Sequence, residues 1–317
     1  MGTMPLRHSL LAVLVTVIWG VNFLAIDYGV ADVPPTLFVA IRFVVVLLPA
    51  IFLVPRPAAP LRDVLLVGVF LSLGQFALLY LAIAFGMPPG LASLVLQAQV
   101  ALTVLFAAIG LRERPRPAQL TGVVIGVAGL VVVGLGRSAA TPALAFLLTL
   151  AAAASWATGN VVVRRVGVAG GLSMTVWSAL VVPVPMLALS LVLDGPAEVG
   201  HALTHLTGTA VVSTLYTAWL ASLVGYGIWN TLLARYRASA VAPFTMLVPV
   251  VGIAAAWLAQ GEVPNALEAA GGAALLAGVA VTSGLVRLPV RRRPSEPAEI
   301  VGSSGRTNYL GRLTRAK

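Results

Sequence analysis

The sequence predicts an all-α integral membrane protein: ten transmembrane helices in two inverted five-helix repeats around a central cavity. Three observations predict it. Apolar runs of about twenty residues follow one another from Leu10–Gly29 to Ala266–Val286, and about 20 apolar residues in a helix span the ~30 Å core of a bilayer. The 317 residues are 59% hydrophobic and only 9% charged, with a mean hydropathy of +1.00, where soluble domains carry about 25% charged residues. The two halves of the chain also share landmarks at a fixed offset. A membrane β-barrel is excluded: its strands alternate in polarity over about ten residues, and these runs are unbroken Leu, Val and Ala.

The first helix, 8–29, follows Arg7. No small-residue cleavage site comes after it, so it is read as an uncleaved span rather than a signal peptide; Met1 and Met4 are alternative natural starts. The second, 36–54, follows Pro34-Pro35, and the third, 63–85, follows Pro55-Arg56-Pro57. The fourth, 89–111, leaves the turn Gly86–Gly90, and the fifth, 118–136, leaves Pro115-Arg116-Pro117. The sixth is 142–163. Gly170-Gly171 precedes the seventh, 172–193, and Asp194-Gly195-Pro196 separates it from the eighth, 208–233. The ninth and tenth are 239–260 and 266–287. Glycine and proline punctuate such breaks because one allows and the other imposes backbone angles that a helix does not continue. The Ser-, Gly- and Pro-containing tail, 291–317, is expected to be disordered, basic and cytoplasmic.

The net charge of +10 and pI of 11.2 do not point to nucleic acid, because the arginines sit in short gaps between apolar runs. With the N-terminus inside, the cytoplasmic gaps hold Arg56 and Arg62; Arg112, Arg114 and Arg116; Arg164 and Arg165; and Arg235 and Arg237, while Arg287 and Arg291–Arg293 follow the last helix. The opposite gaps hold Asp32, Asp194, Glu198, Glu262 and Glu268, with Arg137 their single basic residue. Positive charge in short loops faces the cytoplasm. The expectation is a multi-pass protein of the bacterial inner membrane, both termini cytoplasmic, its partners the bilayer and a small molecule, as a monomer or homodimer. No cofactor or metal site is expected; with no cysteine, thiolate ligands and disulfides are excluded.

Glu113-Arg114-Pro115, then Gly122 and Gly129, recur as Glu262-Val263-Pro264, then Gly271 and Gly278. The first helix has Trp19-Gly20-Val21-Asn22, and the sixth has Trp156-Ala157-Thr158-Gly159-Asn160. Residues 1–138 and 139–290 are therefore read as two repeats. Five helices is an odd number, so the second copy enters the membrane upside down. Inverted repeats build secondary transporters, with the substrate near the midplane between halves.

Five segments also resemble the EamA family of the drug/metabolite transporter superfamily: Ile18–Phe23 (IWGVNF), Gly86–Gln99 (GMPPGLASLVLQAQ), Leu148–Asn160 (LTLAAAASWATGN), Val224–Tyr236 (VGYGIWNTLLARY) and Val241–Gly252 (VAPFTMLVPVVG). The resemblance covers about residues 8–288. It implies ten helices, two repeats, a central cavity and alternating-access export of a small amino-acid metabolite of the cysteine or O-acetylserine kind. Asp27 departs from the family, where a basic residue is expected.

Polar groups are costly inside a bilayer, so each suggests a partner or a pathway. Arg42 is the sharpest case. Its planar fork fits a carboxylate, as a substrate anchor or gate; pairing with Asp27 and snorkelling to headgroups are the alternatives. Asn22 and Asn160 occupy matching places and serve either a zwitterion or helix packing. Gln97 and Gln99, two apart, are expected on different faces, one of them lining the cavity. Gln75, Tyr80, Trp19 and Trp156 are further cavity candidates, and Tyr226 and Asn230, four apart, share a face. Pro243 and Pro249 are candidate hinges in the ninth helix.

No Walker motif supports ATP hydrolysis. Asp27 is the one carboxylate clearly within a span, and no histidine is. Passive or substrate-gradient-driven export is the expectation. The alternatives are an exporter of other amino acids, aromatic compounds or drugs; an intramembrane enzyme, although no paired nucleophile and base is evident; and a structural membrane protein.

Overall fold

The computed structural model describes residues 4–137, 141–167, 171–236 and 238–286. The expected tail 291–317, Gly170, Arg237, the arginines from Arg287 onward and the choice of start lie outside the described residues. The chain is an all-α membrane protein. Among the described residues nine helices are long and apolar enough to cross a bilayer: α1 Leu6–Asp32, α2 Pro35–Leu53, α3 Leu61–Ala84, α4 Pro89–Gly110, α5 Pro117–Gly136, α6 Ala143–Val166, α7 Leu172–Leu193, α8 Gly208–Arg235 and α9 Pro243–Gln260. A tenth apolar helix, α10 Ala266–Thr282, is shorter. Their outer surfaces expose large apolar side chains, Phe52 by 83% and Val192 by 79%, as a lipid-facing surface requires. A short helix, Pro196–Thr204, occupies the segment after α7 that the sequence reads as a break. Pro196 starts it where an N–H is unneeded, and Glu198 sits in its first turn near the positive end of the dipole.

Contacts sort the helix ends onto two faces. On one, here the N-terminal face, the Tyr236 hydroxyl and His8 Nδ1 are 2.6 Å apart, Ser173 Oγ donates to the Pro55 carbonyl at 2.6 Å, and Arg164 pairs with Glu113 at 3.0 Å. On the far face, Thr36 donates to Asp194 at 3.4 Å and Asn265 Nδ2 to the Gly136 carbonyl at 2.6 Å. Thr207 also donates to Asp32 there.

Also on the far face, the Gly90 and Leu91 N–H groups at the start of α4 donate to Glu262, at 3.2 and 3.3 Å, from the α9–α10 loop. Burial pushes this carboxyl above the ordinary carboxylate range; the two N–H bonds hold it down, and Glu268 and Asp27 push it up. A raised value means that stability from this group is complete below the ordinary carboxylate range and is lost as pH climbs through the raised value. Glu262→Gln, which keeps one acceptor and buries no charge, is therefore expected to unfold thermally near wild type at neutral pH. Glu262→Ala, which leaves both N–H groups unpaired, is expected to lose about 1–2 kcal/mol; thermal melts of the two variants check this.

Helices α5 and α10 carry the four repeated glycines and pack on each other. A Cβ on Gly129 would lie 2.4 Å from Leu275 N, and one on Gly278 would lie 2.4 Å from Gly126 N. Small residues let the two backbones touch.

Two helices widen into π turns at corresponding places, α3 over Val69–Gly74 and α8 over Tyr216–Gly225. Each follows an eight-residue α stretch, Leu61–Gly68 or Gly208–Leu215, and each ends at a glycine. A main-chain carbonyl in each segment accepts a side chain from elsewhere: Phe70 from Ser155 of α6 at 2.8 Å, and Ala221 from Trp19 of α1 at 3.0 Å. The glycines make room. A Cβ on Gly74 would meet Ser155 Oγ at 2.4 Å, and one on Gly225 would meet the Trp19 indole nitrogen at 2.7 Å.

Helices α4 and α9 are interrupted. Helix α4 breaks at Leu96-Gln97, between Pro89–Val95 and Ala98–Gly110. Around α9, a single α-helical turn Ala238–Val241 leads into a 3₁₀ stretch Ala242–Met246 and then the α-helix Leu247–Gln260. Pro243 lies in the 3₁₀ stretch, and Pro249 is buried in the first turn after it.

Candidate functional site

The interruptions and π turns surround a cavity of about 550 Å³ lined by α1–α4 and α6–α9. Helices α5 and α10 contribute nothing to its lining. Toward the N-terminal face its lining reaches Val67, Val163, Met174 and Leu233. On its far-face side Leu37, Phe38, Tyr80 and Met87 belong to one packed apolar cluster, none more than 1% exposed.

Arg42 is 2% exposed and lines this cavity. One nitrogen donates to the Tyr80 hydroxyl at 2.8 Å and another to Ser222 Oγ at 3.0 Å, within the π segment of α8. The guanidinium carbon lies 4.1 Å from the Phe76 ring centroid, a cation–π geometry. Its Nε has no partner. The alternative of an ion pair between Arg42 and Asp27 is corrected. Asp27 accepts from Gln260 Nε2 at 2.6 Å, near the end of α9, whereas Arg42 reaches α3 and α8. Among the described residues the one ion pair is Arg164–Glu113.

Ten of the candidates read from the sequence line the cavity: Arg42, Asn22, Trp19, Gln75, Gln97, Gln99, Trp156, Asn160, Tyr226 and Asn230. Tyr80 does not; it is fully buried behind Arg42 and positions it. Gln97 and Gln99 both face inward because the α4 break turns them. Gln97 Nε2 donates to the Thr245 carbonyl at 3.2 Å, and Gln99 Oε1 accepts from Asn160 at 3.1 Å. Asn160 also donates to Thr103 at 3.3 Å, so the two matching asparagines differ: the Asn22 side-chain oxygen is buried without a partner. Trp19 packs against Tyr226 and Trp229, with centroids 5.1 and 5.3 Å apart. The sequence reading missed Phe76 and Ser222. Phe76 reads as one more core aromatic, and Ser222 as one small residue among many; nothing local marks either.

A largely apolar cavity that carries several amide side chains and a buried cation, inside a membrane-spanning bundle, is a candidate site for a small molecule. The chain belongs to the EamA-like transporter family, which matches it twice, over residues 6–135 and 143–284. It is 42% identical over 284 residues to the probable amino-acid metabolite efflux pump of Escherichia coli K12, covering 87% of this chain and 94% of that one. It is 29% identical over 290 residues to the probable terminal-alkyne amino-acid exporter of Streptantibioticus cattleyicolor, covering 87% and 93%. A solved crystal structure superimposes with a TM-score of 0.58 at 22% identity, over 88% of this chain and 97% of that one; that likeness speaks for the fold alone.

Proposed function

We propose that this chain exports small amino-acid metabolites, of the cysteine or O-acetylserine kind, across the bacterial cytoplasmic membrane by alternating access, with the N-terminal face cytoplasmic. The observation that carries this is Arg42: a guanidinium 2% exposed, facing a cavity, with neutral partners alone among the described residues. A buried charge without a counter-ion is destabilising by several kcal/mol, and a substrate carboxylate on the free Nε relieves it.

Alternation is supported by the exchange between two repeats, 1–138 and 139–290, taken as inverted copies. The first helix of each half bonds to the π segment of the other, Trp19 to Ala221 and Ser155 to Phe70. Two matching contacts of this kind make two related states accessible, one open to each face; the cavity described here extends toward the N-terminal face. Pro243 and Pro249 serve as the bending points of α9 in this reading. Among the described residues the loops and helix ends bearing Arg56, Arg62, Arg112, Arg114, Arg116, Arg164, Arg165 and Arg235 lie on that same face, with Arg137 alone on the other, which supports a cytoplasmic side there. The described cavity lining holds no Asp or Glu, which supports export down the substrate's own gradient.

Proteoliposomes loaded with labelled O-acetyl-L-serine test the proposal. Protein-dependent efflux that saturates with substrate, and that an imposed pH gradient leaves within about twofold, is the expected result. Absence of efflux for O-acetyl-L-serine and L-cysteine would overturn it.

A further inference from the structure

Four buried side-chain nitrogen or oxygen atoms among the described residues have no hydrogen-bond partner: Asn22 Oδ1, Arg42 Nε, Asn230 Nδ2 and Thr282 Oγ1. Three belong to residues that line the cavity described above. Buried polar atoms are normally paired, so this concentration describes the ligand that completes it. Two of the three stand within about one helical turn of each other in depth. Arg42 is seven residues from the start of α2, about 10 Å below the far face, and Asn22 is ten residues from the end of α1, about 15 Å below it. Neighbouring residues of α8 hold the same pair of elements: Ser222 accepts from Arg42, and Ala221 accepts from Trp19, one turn from Asn22 on α1. Asn230 is eight residues beyond Ser222 on α8, about 12 Å nearer the N-terminal face, out of reach of a group held at Arg42.

The deep pair is thus one cationic donor and one neutral acceptor. Its complement is a molecule with a carboxylate and a nearby cationic donor. With no acid in the described lining, a neutral amide oxygen and the Trp19–Tyr226 aromatic wall are what an ammonium group meets, by hydrogen bond and cation–π attraction.

We propose that Asn22 recognises the substrate's α-ammonium group through its side-chain oxygen, so that the carrier selects free α-amino acids over carboxylates whose amine is capped. This rests on Arg42 holding the carboxylate and deepens that reading. Selection follows from the cost of the alternative: a capped amine leaves the Asn22 oxygen buried and unpaired.

The test is displacement of labelled O-acetyl-L-serine from the full-length purified protein at mildly acidic pH, which preserves the ester. The competitors are unlabelled O-acetyl-L-serine, N-acetyl-L-serine (carboxylate kept, amine capped) and O-acetyl-L-serine methyl ester (amine kept, carboxylate capped). In the wild type both capped probes are expected to compete about tenfold or more weakly. In Asn22→Ala the gap between the O-acetyl and N-acetyl probes shrinks to within about twofold, and the gap to the methyl ester persists. Asn22→Asp, whose carboxylate also accepts from an ammonium, keeps the amine gap. If Asn22→Ala loses all binding, Asn22→Asp decides: recovery supports the proposal, and continued loss assigns Asn22 to packing and overturns it. N-acetyl-L-serine competing as well as O-acetyl-L-serine in the wild type, or an unchanged gap in Asn22→Ala, also overturns it. A methyl ester that competes fully overturns the carboxylate role of Arg42 instead, and no binding of O-acetyl-L-serine overturns both.

Discussion

Export by the Arg42→Gln variant falls about a hundredfold, while its thermal stability holds or rises. The two halves of this result have different causes. A charge-assisted hydrogen bond contributes about 1.5–3 kcal/mol, and losing the carboxylate's contact with the Arg42 Nε–H at the upper end of that range reaches this fold-change in transport. The unliganded protein, by contrast, carries the guanidinium without an ionic partner among the described residues. A neutral amide of smaller reach removes that desolvation cost, and Tyr80 and Ser222 lose a donor rather than a counter-charge. Arg42→Lys retains charge without the planar fork and is expected to fall between, at about tenfold. Efflux rates beside melting temperatures check the pattern. An Arg42→Gln protein that melts well below wild type would assign the residue to structure instead.

Gly278→Val is expected to be the most destabilising single substitution considered, by about 3 kcal/mol. Its Cβ would lie 2.4 Å from the Gly126 nitrogen and 2.6 Å from the Gly122 carbonyl oxygen, both backbone atoms that cannot rotate away. Helices α5 and α10 must separate to admit it, and their close packing is lost. Gly227→Ala is the matched control: nothing lies within 4 Å of the added Cβ, so its stability stays within about 0.5 kcal/mol of wild type. Fluorescence-monitored melts in one detergent compare the two directly.

The helices were legible in the sequence because the bilayer demands one property, apolar length, that every span must show. The residues that line the cavity were legible for the complementary reason: a Trp, Asn or Gln in the middle of an apolar run needs a partner or a pathway. Partnership was not legible. Asp27 and Arg42 are opposite charges inside consecutive apolar runs, yet Asp27 turns to Gln260 and Arg42 to Tyr80 and Ser222. Pairing depends on helix rotation, which an evenly apolar helix does not record: lipid and neighbouring helices are both apolar, so no hydrophobic stripe marks the inner side. The inward turn of both Gln97 and Gln99 was hidden similarly, since the rule that residues two apart diverge assumes an unbroken helix, and α4 breaks at Leu96-Gln97. The shared glycine offset was visible as a pattern; its cause, close contact of α5 with α10, needed the structure.

The central claim is a single cavity that opens to each face in turn. The chain has no cysteine, so single introduced thiols report accessibility without background. Met87→Cys, beneath the far face and 1% exposed, and Leu233→Cys, on the cavity wall toward the N-terminal face, are labelled by a membrane-impermeant reagent applied to either side of oriented vesicles. The account predicts that Leu233→Cys labels from the N-terminal face at rest and that Met87→Cys resists. During O-acetyl-L-serine turnover, Met87→Cys is expected to become reactive from the far face as labelling of Leu233→Cys slows. A Met87→Cys protein that transports yet stays unlabelled under turnover would contradict the account.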